Sequence, residues 1–96
     1  MNKYELALVI DARIEDDARA DVLEKAKKLI ARFGGTVTNV EESGKKKLAY
    51  EIDKTDEGFY YFVQFDAEGT APAEIEQRVR IMDHVLRFLV VRADED

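Results

Sequence analysis

The stretch that decides the fold reads GKKKLAYEIDKTDEGFY and runs from Gly44 to Tyr60. Apolar and polar residues alternate in its first half, which is the two-residue period of a β-strand with two unlike faces. The apolar positions of this alternation are Leu48, Tyr50 and Ile52. The polar segment 55–58 ends in glycine and predicts a turn, after which the aromatic and β-branched residues 59–65 resume the extended pattern. The stretch therefore predicts a β-hairpin.

Strands and helices are predicted on both sides of this hairpin. Before it, residues 4–10 alternate as a first strand, residues 16–33 repeat apolar positions at three- and four-residue steps as a helix, and residues 36–40 begin the second strand. Gly34 and Gly35 provide a left-handed stop for the helix, and Gly44 predicts a bulge or bend. After the hairpin, Pro72 suits the first turn of a second helix with Ile75, Val79 and Met82 on its apolar face. Residues 85–92 form the last strand.

The predicted order is βαββαβ, in which two βαβ halves are joined through the hairpin. This order is typical of an α+β, ferredoxin-like sandwich, a four-stranded antiparallel sheet with both helices on one face. Right-handed crossovers that each skip one position give the sheet order 4-1-3-2. With 96 residues, the chain is expected to form a single domain over 1–96, with a short acidic C-terminal tail at 93–96.

The composition indicates a soluble globular protein, since 46% of the residues are hydrophobic and 38% are charged. There is no cysteine, so neither disulfides nor thiolate chemistry are available. The opening MNKYELALVIDAR contains an apolar run that is too short to span a membrane and lacks the flank of a signal peptide. We therefore expect an untargeted, cytoplasmic protein.

The strand alternation divides the sheet residues between two faces. The side chains expected to point at the helices are Leu6, Leu8, Ile10, Phe59, Tyr61, Val63, Phe65, Leu86, Phe88 and Val90. Those expected on the opposite, open face are Ala7, Val9, Tyr60, Phe62, Leu89 and Val91. Because soluble monomers seldom leave a large apolar patch bare, the open face predicts a contact surface. The alternative is that the long hairpin or the C-terminal tail covers Tyr60 and Phe62.

Charge gives a mixed indication about nucleic acid. The net charge of −6 and the isoelectric point of about 4.8 argue against phosphate binding, which Lys and Arg drive. The basic residues are locally concentrated, however, in the run Lys45–Lys47 and in four arginines near the end. These arginines are Arg78, Arg80, Arg87 and Arg92. A one-sided basic patch is compatible with this distribution.

Catalytic motifs are missing from the sequence. His84 is the only histidine and Ser43 the only serine, so no nucleophile has a usable base. There is no glycine-rich phosphate loop, and a single histidine without cysteine argues against a zinc or redox-metal site. The acidic run Glu15–Asp17 is explained by its place at a helix start. We therefore expect no enzyme, no cofactor and no metal.

Several segments resemble one known family, the bacterial small-subunit ribosomal protein S-six family. Residues 44–52 and 58–60 are similar to its G-x-(R/K)-(R/K)-LAY-x-I…G-x-Y core. The opening Tyr4-Glu5 is similar to its M-x-x-YE start, and residues 83–92 resemble its D-x-V-x-R-x-x-V-V-(K/R) last strand. The resemblance runs from Met1 to about Arg92 with the same element order.

The resemblance implies a structural role without catalysis. Members of this family bind the central domain of small-subunit ribosomal RNA as a heterodimer with ribosomal protein S-eighteen. By this resemblance the RNA-binding residues are Lys3, Tyr4, Arg80, Arg87 and Arg92, with the arginines on phosphates and the tyrosine stacked on an unpaired base. The expected partner-binding residues are Val9, Ala49, Tyr60, Phe62, Leu89 and Val91.

The sequence also departs from the family and leaves an alternative open. Lysines stand at Lys46 and Lys47, and asparagine at Asn2, where the family often has arginine, so RNA contacts there would be weaker. The tail ends at Asp96, whereas some relatives extend further over the partner. The alternative function is a self-associating ferredoxin-like module with a regulatory or ligand-binding role. An acylphosphatase-like enzyme has the same element order but would need a phosphate-binding loop near the first helix.

Overall fold

The computed structural model describes residues 1–52 and 54–93, in which the six predicted elements follow in the predicted order. They are β1 (Asn2–Asp11), α1 (Asp16–Arg32), β2 (Thr36–Ile52), β3 (Thr55–Ala67), α2 (Ala71–Val79) and β4 (Val85–Arg92). The strands form one antiparallel sheet in the order β2-β3-β1-β4, which confirms the predicted arrangement. The acidic residues of the predicted tail, 94–96, lie outside the described residues.

The core lies between the two helices and one face of the sheet. Alternate residues of β1, among them Leu6, Leu8 and Ile10, are fully buried, as the alternation predicted. They pack with apolar residues of both helices and of β3, namely Val22, Ala26, Ile30, Val63, Phe65, Ile75 and Val79. Each large apolar side chain buried in this way stabilises the fold by about 1.5–3 kcal/mol. No helix in the described part of the chain is both long and apolar enough to cross a membrane.

The helix ends follow the predicted signals with one exception. Gly34 has a φ of 86°, and the N–H of Gly35 donates to the carbonyl of Ile30 at 2.9 Å, so the glycine pair ends α1. Pro72 lies in the first turn of α2, also as predicted. However, α2 ends at Val79, so Met82 lies beyond the helix. Its N–H bonds the carbonyl of Val79, in a tight turn that still packs Met82 against the core.

The hairpin turn lies earlier in the chain than predicted. β3 already begins at Thr55, which pairs with Ile52, so residues 55–58 belong to a strand and not to a turn. Lys54, with a φ of 65°, adopts the left-handed conformation instead. Thr55 is buried, and its hydroxyl accepts a hydrogen bond from the N–H of Glu57 at 3.3 Å. β3 therefore begins earlier, and is longer, than the polar composition suggested.

An irregularity in β4 corrects a second prediction. Val9 pairs with Arg87 but Ile10 pairs with Val85, so Leu86 is the extra residue of a bulge. Val85 consequently packs against the core in the place predicted for Leu86. Beyond the bulge the alternation resumes, and Phe88 and Val90 face the helices as expected.

Asp11 holds the end of β1 against the chain before β4. Its N–H donates to the carbonyl of His84 at 2.9 Å, and its buried carboxylate accepts hydrogen bonds from Nη2 of Arg13 at 2.7 Å and from the main-chain N–H of Arg13 at 2.9 Å. The side-chain hydrogen bond from Arg13 lowers the pKa of the Asp11 carboxyl below its ordinary value, against the opposing effect of burial.

This contact predicts a pH-dependent stability. Asp11→Asn should lower the free energy of unfolding by about 1 kcal/mol at pH 7, because Arg13 is half-exposed and solvent screens the pair. The folded-state pKa is the lower one, so the contribution is present above the unfolded-state pKa of about 3.9 and is lost as the pH falls through the folded-state pKa. Urea titrations of both proteins should therefore converge in acid. A difference that stays constant with pH, or that Asp56→Asn on exposed β3 reproduces, would contradict this role.

Candidate interaction surface on the open sheet face

The face of the sheet that lies opposite the helices carries a continuous row of apolar side chains. Ala7 on β1 pairs with Phe62 on β3 and with Leu89 on β4, so these three side chains share the open face. We define the open-face patch as Ala7, Val9, Tyr60, Phe62, Leu89 and Val91, the set predicted from the alternation. Leu89 is 56% exposed and Val91 is 40% exposed. The predicted placement of apolar residues on this face is therefore correct.

Part of this patch is covered by the hairpin. We call residues 45–52 and 54–57, at its far end, the arm. Val9 on β1 is only 6% exposed and Leu48 on the arm only 7%, although neither belongs to the core between the sheet and the helices. A Cβ atom on Gly58 would lie 2.5 Å from Cγ1 of Val9 and 3.7 Å from Cδ2 of Leu48, so both side chains occupy the space above this glycine. The arm thus bends over one end of the patch.

Two cations lie over aromatic rings at this end. The guanidinium carbon of Arg87 is 5.6 Å from the centre of the Tyr50 ring, and Nζ of Lys46 is 5.5 Å from that of Tyr60. Because β2 and β4 are the two edge strands, the Arg87–Tyr50 contact joins opposite edges of the sheet above the open face. Each exposed contact of this kind contributes about 0.5–1 kcal/mol. The Arg87–Tyr50 contact therefore holds the arm only weakly against the open face.

The opposite end of the patch is bordered by polar and acidic groups. Nε2 of Gln64 donates to Glu5 at 3.1 Å, and Nδ2 of Asn39 donates to Oε1 of Gln64 at 3.3 Å. This row crosses three strands on the open face. Glu41 on β2 pairs with Phe62 and so lies beside the patch. The open face is therefore basic where the arm covers it and acidic along its other border.

The predicted RNA-binding residues do not form one surface. Lys3 is exposed on the open face, beyond the acidic border, while Arg87 lies at the arm. Arg80 is exposed at the end of α2, on the helical side. Nη2 of Arg92 donates to Oδ1 of Asn2 at 3.0 Å, at the end of the sheet where β1 begins. The cations are thus distributed around the molecule.

Two predicted site residues do not fit their assigned roles. Tyr4 is 8% exposed, and its ring packs against Phe65 with 5.6 Å between the ring centres, so neither face is available to a base. Its hydroxyl accepts a hydrogen bond from Asn2. Ala49 is exposed, but it alternates with Leu48 and Tyr50, which face the sheet, so it lies on the outer side of the arm. Neither residue belongs to the open-face patch.

The structure adds Tyr50 and Lys46 to the site. The alternation of Tyr50 with Leu48 was visible in the sequence and placed both on one side of the strand, but only the bend of the arm brings Tyr50 to Arg87. Among residues 1–52 and 54–93, no group of three or more His, Asp and Glu side chains is placed to hold a metal ion. The arrangement therefore offers apolar contact with charged borders.

Comparisons with known proteins give a consistent result. The family described as ribosomal protein S6 matches residues 3–92. The small ribosomal subunit protein bS6 of Alkaliphilus oremlandii is 38% identical over 95 residues, which cover 99% of this chain and 100% of that protein. The crystal structure of 30S ribosomal protein S6 from Thermotoga maritima superimposes with a TM-score of 0.89 at 30% identity, over 96% of this chain and 87% of that one. The C-terminal domain of MgtC from Mycobacterium tuberculosis, at 7% identity and a TM-score of 0.65, shares the fold alone.

Proposed function

Because this chain belongs to the ribosomal protein S6 family, we propose that it binds the central domain of small-subunit ribosomal RNA together with ribosomal protein S-eighteen, as a heterodimer. The chain is a structural, non-enzymatic component of the small ribosomal subunit, in the cytoplasm. The single observation that carries the finer proposal is the apolar open-face patch, of which Leu89 and Val91 are exposed and which lies wholly within the matched residues. An apolar surface of this kind favours a protein partner.

The charge distribution supports a shared RNA site. With a net charge of −6, the chain alone is a poor ligand for phosphates, since each phosphate contact requires a cation. A basic protein bound to the open face would add the missing positive charge. We assign local RNA contacts to Lys3, Arg80, Arg87 and Arg92, each of which is exposed. Tyr4 is not retained, because its ring is buried.

A titration of this protein against the central domain of small-subunit ribosomal RNA tests the proposal. RNA should be bound only when ribosomal protein S-eighteen is present, and more weakly at the higher of two salt concentrations. Arg80→Ala, at a position away from the open face, should weaken binding by the pair about five-fold, as expected for one exposed charge-assisted contact. Arg32→Ala on the helical side is the matched control and should have no effect. If the protein pairs with itself, ignores the partner and leaves the RNA unbound, the proposal is wrong and the self-associating alternative is favoured.

A further inference from the structure

A cleft lies on the open face, where β1, β3 and β4 meet. It has a volume of ≈ 230 Å³ and is lined by Ala7, Val9, Tyr60, Arg87, Phe88 and Leu89. Ala7 and Val9 provide a floor of small aliphatic groups, while Leu89 and the ring of Tyr60 stand at its sides. A water molecule occupies about 30 Å³ in liquid water, so one bulky side chain in the cleft would displace several water molecules.

We propose that this cleft receives one large apolar side chain, leucine or aromatic, from the protein partner, and that basic residues flanking it in the partner meet Glu5 and Glu41. This inference rests on the proposed function and specifies where and by what chemistry the partner is recognised. Side chains that fill a preformed pocket at the centre of an interface usually dominate the binding energy. Four of the residues that line the cleft, Ala7, Val9, Tyr60 and Leu89, belong to the open-face patch.

The lining favours an apolar side chain over a polar group. Arg87 is the one charged residue among its walls, and its guanidinium already lies over the Tyr50 ring. Of the other side chains on the open face that line the cleft, only Tyr60 carries a polar group, its hydroxyl; Phe88 faces the helices and contributes its main chain. A polar ligand would lose its hydration here without gaining enough hydrogen bonds in return, whereas an aliphatic or aromatic group loses nothing.

The border favours a protein segment over an RNA base. Glu41 shares a row with Phe62 and Ala7, and Glu5 lies in the next row, where Gln64 orients its carboxylate at 3.1 Å. On this side of the cleft, phosphates beside a stacked base would be repelled by both carboxylates. Lysine or arginine on either side of an apolar side chain would be attracted to them instead. Arg87 and Lys46 lie on the arm side of the cleft, so the carboxylates on its other side are the groups that complement basic residues of a protein partner.

Filling the cleft tests the proposal. Ala7→Leu adds three carbon atoms to its floor, and should lower the affinity for ribosomal protein S-eighteen at least about ten-fold in calorimetric titration. Ala31→Leu makes the same addition on the exposed surface of α1, and should leave the affinity unchanged. Leu89→Ala removes one wall of the cleft. Because Leu89 is 56% exposed, this variant should fold normally, and it should also bind the partner more weakly. If the partner binds Ala7→Leu and Leu89→Ala as it binds the wild type, the proposal is wrong.

A second measurement needs no partner and separates this inference from the proposed function. N-acetyl-phenylalanine amide at millimolar concentration should shift the methyl NMR signals of Ala7 and Leu89 in the wild type, and should leave Leu89 unshifted in Ala7→Leu. If ribosomal protein S-eighteen fails to bind the wild type, the proposed function is wrong, and this probe alone then shows whether the cleft binds an apolar side chain. Adenosine at the same concentration should produce no shift. Shifts with adenosine and none with the amide would identify a base site and overturn the proposal.

Discussion

Replacing Leu89 by aspartate should reduce the affinity for ribosomal protein S-eighteen at least about 100-fold, because a buried carboxylate without a partner costs about 3 kcal/mol or more. Leu89 belongs to the open-face patch, beside Ala7, and is 56% exposed in the isolated chain, so the substitution removes little folding energy. The short aspartate side chain cannot reach past the apolar neighbours to water. Calorimetric titration of the partner into each variant measures the loss.

Ile81→Asp is the matched control for this substitution. Ile81 is 76% exposed, but it follows α2 and therefore lies away from the open face. Both variants place the same charge at an exposed apolar position, and the free energy of unfolding of each should lie within about 1 kcal/mol of the wild-type value. If the two variants bind the partner equally well, the open face is not the docking surface.

The largest effect on stability is expected at Phe65, on the covered side of the same sheet. Phe65 is 1% exposed and stacks in a tilted arrangement on Tyr4, so Phe65→Ala should lower the free energy of unfolding by about 3–5 kcal/mol. A domain of this size has only about 5–15 kcal/mol in total. Urea denaturation followed by circular dichroism measures the change.

Leu89→Ala provides the comparison, because it truncates a large apolar side chain on the opposite face. The expected loss is no more than about 0.5 kcal/mol. If the strand register were shifted by one residue, the covered and open faces would be exchanged, and Leu89→Ala would then cause the large loss of stability and Phe65→Ala the small one. A loss at Phe65 of less than about 1 kcal/mol would therefore contradict the assignment of the covered face.

The order of the elements and the two faces of β1 were predictable because the signals are local. The alternation of Leu6, Leu8 and Ile10 determines their faces whatever the neighbouring strands do. The end of α1 was equally predictable, since a helix commonly ends at a residue in the left-handed conformation, and Gly34 adopts this conformation, with a φ of 86°, without steric cost. Right-handed crossovers then leave one sheet order, which the structure has.

The errors occur where a bulge or a distant contact decides the outcome. Because Leu86 is the extra residue of the bulge, Val85 faces the core. Nothing in the apolar run VLRFLVV indicates which residue is extra. Glycine at Gly58 suggested a turn but instead makes room for Val9 and Leu48. These contacts depend on packing between elements far apart in the sequence.

The candidate site was predictable in part for the same reason. Its apolar residues follow from the strand period, so Phe62 and Leu89 were placed correctly. The bend of the arm was not predictable, because Tyr50 and Arg87 come from opposite edges of the sheet. Tyr4 was assigned to RNA by resemblance, whereas its position in the β1 alternation, shared with Leu6, already placed it on the covered face.

The central claim is that the open sheet face is where the protein partner docks. Amide and methyl NMR shifts of this chain, recorded as unlabelled ribosomal protein S-eighteen is added, test that claim most directly. We predict that the largest changes fall on Ala7, Phe62, Leu89 and Val91, and that the outer surfaces of α1 and α2 stay unchanged. Changes concentrated on the two helices, with the open face unaffected, would contradict it.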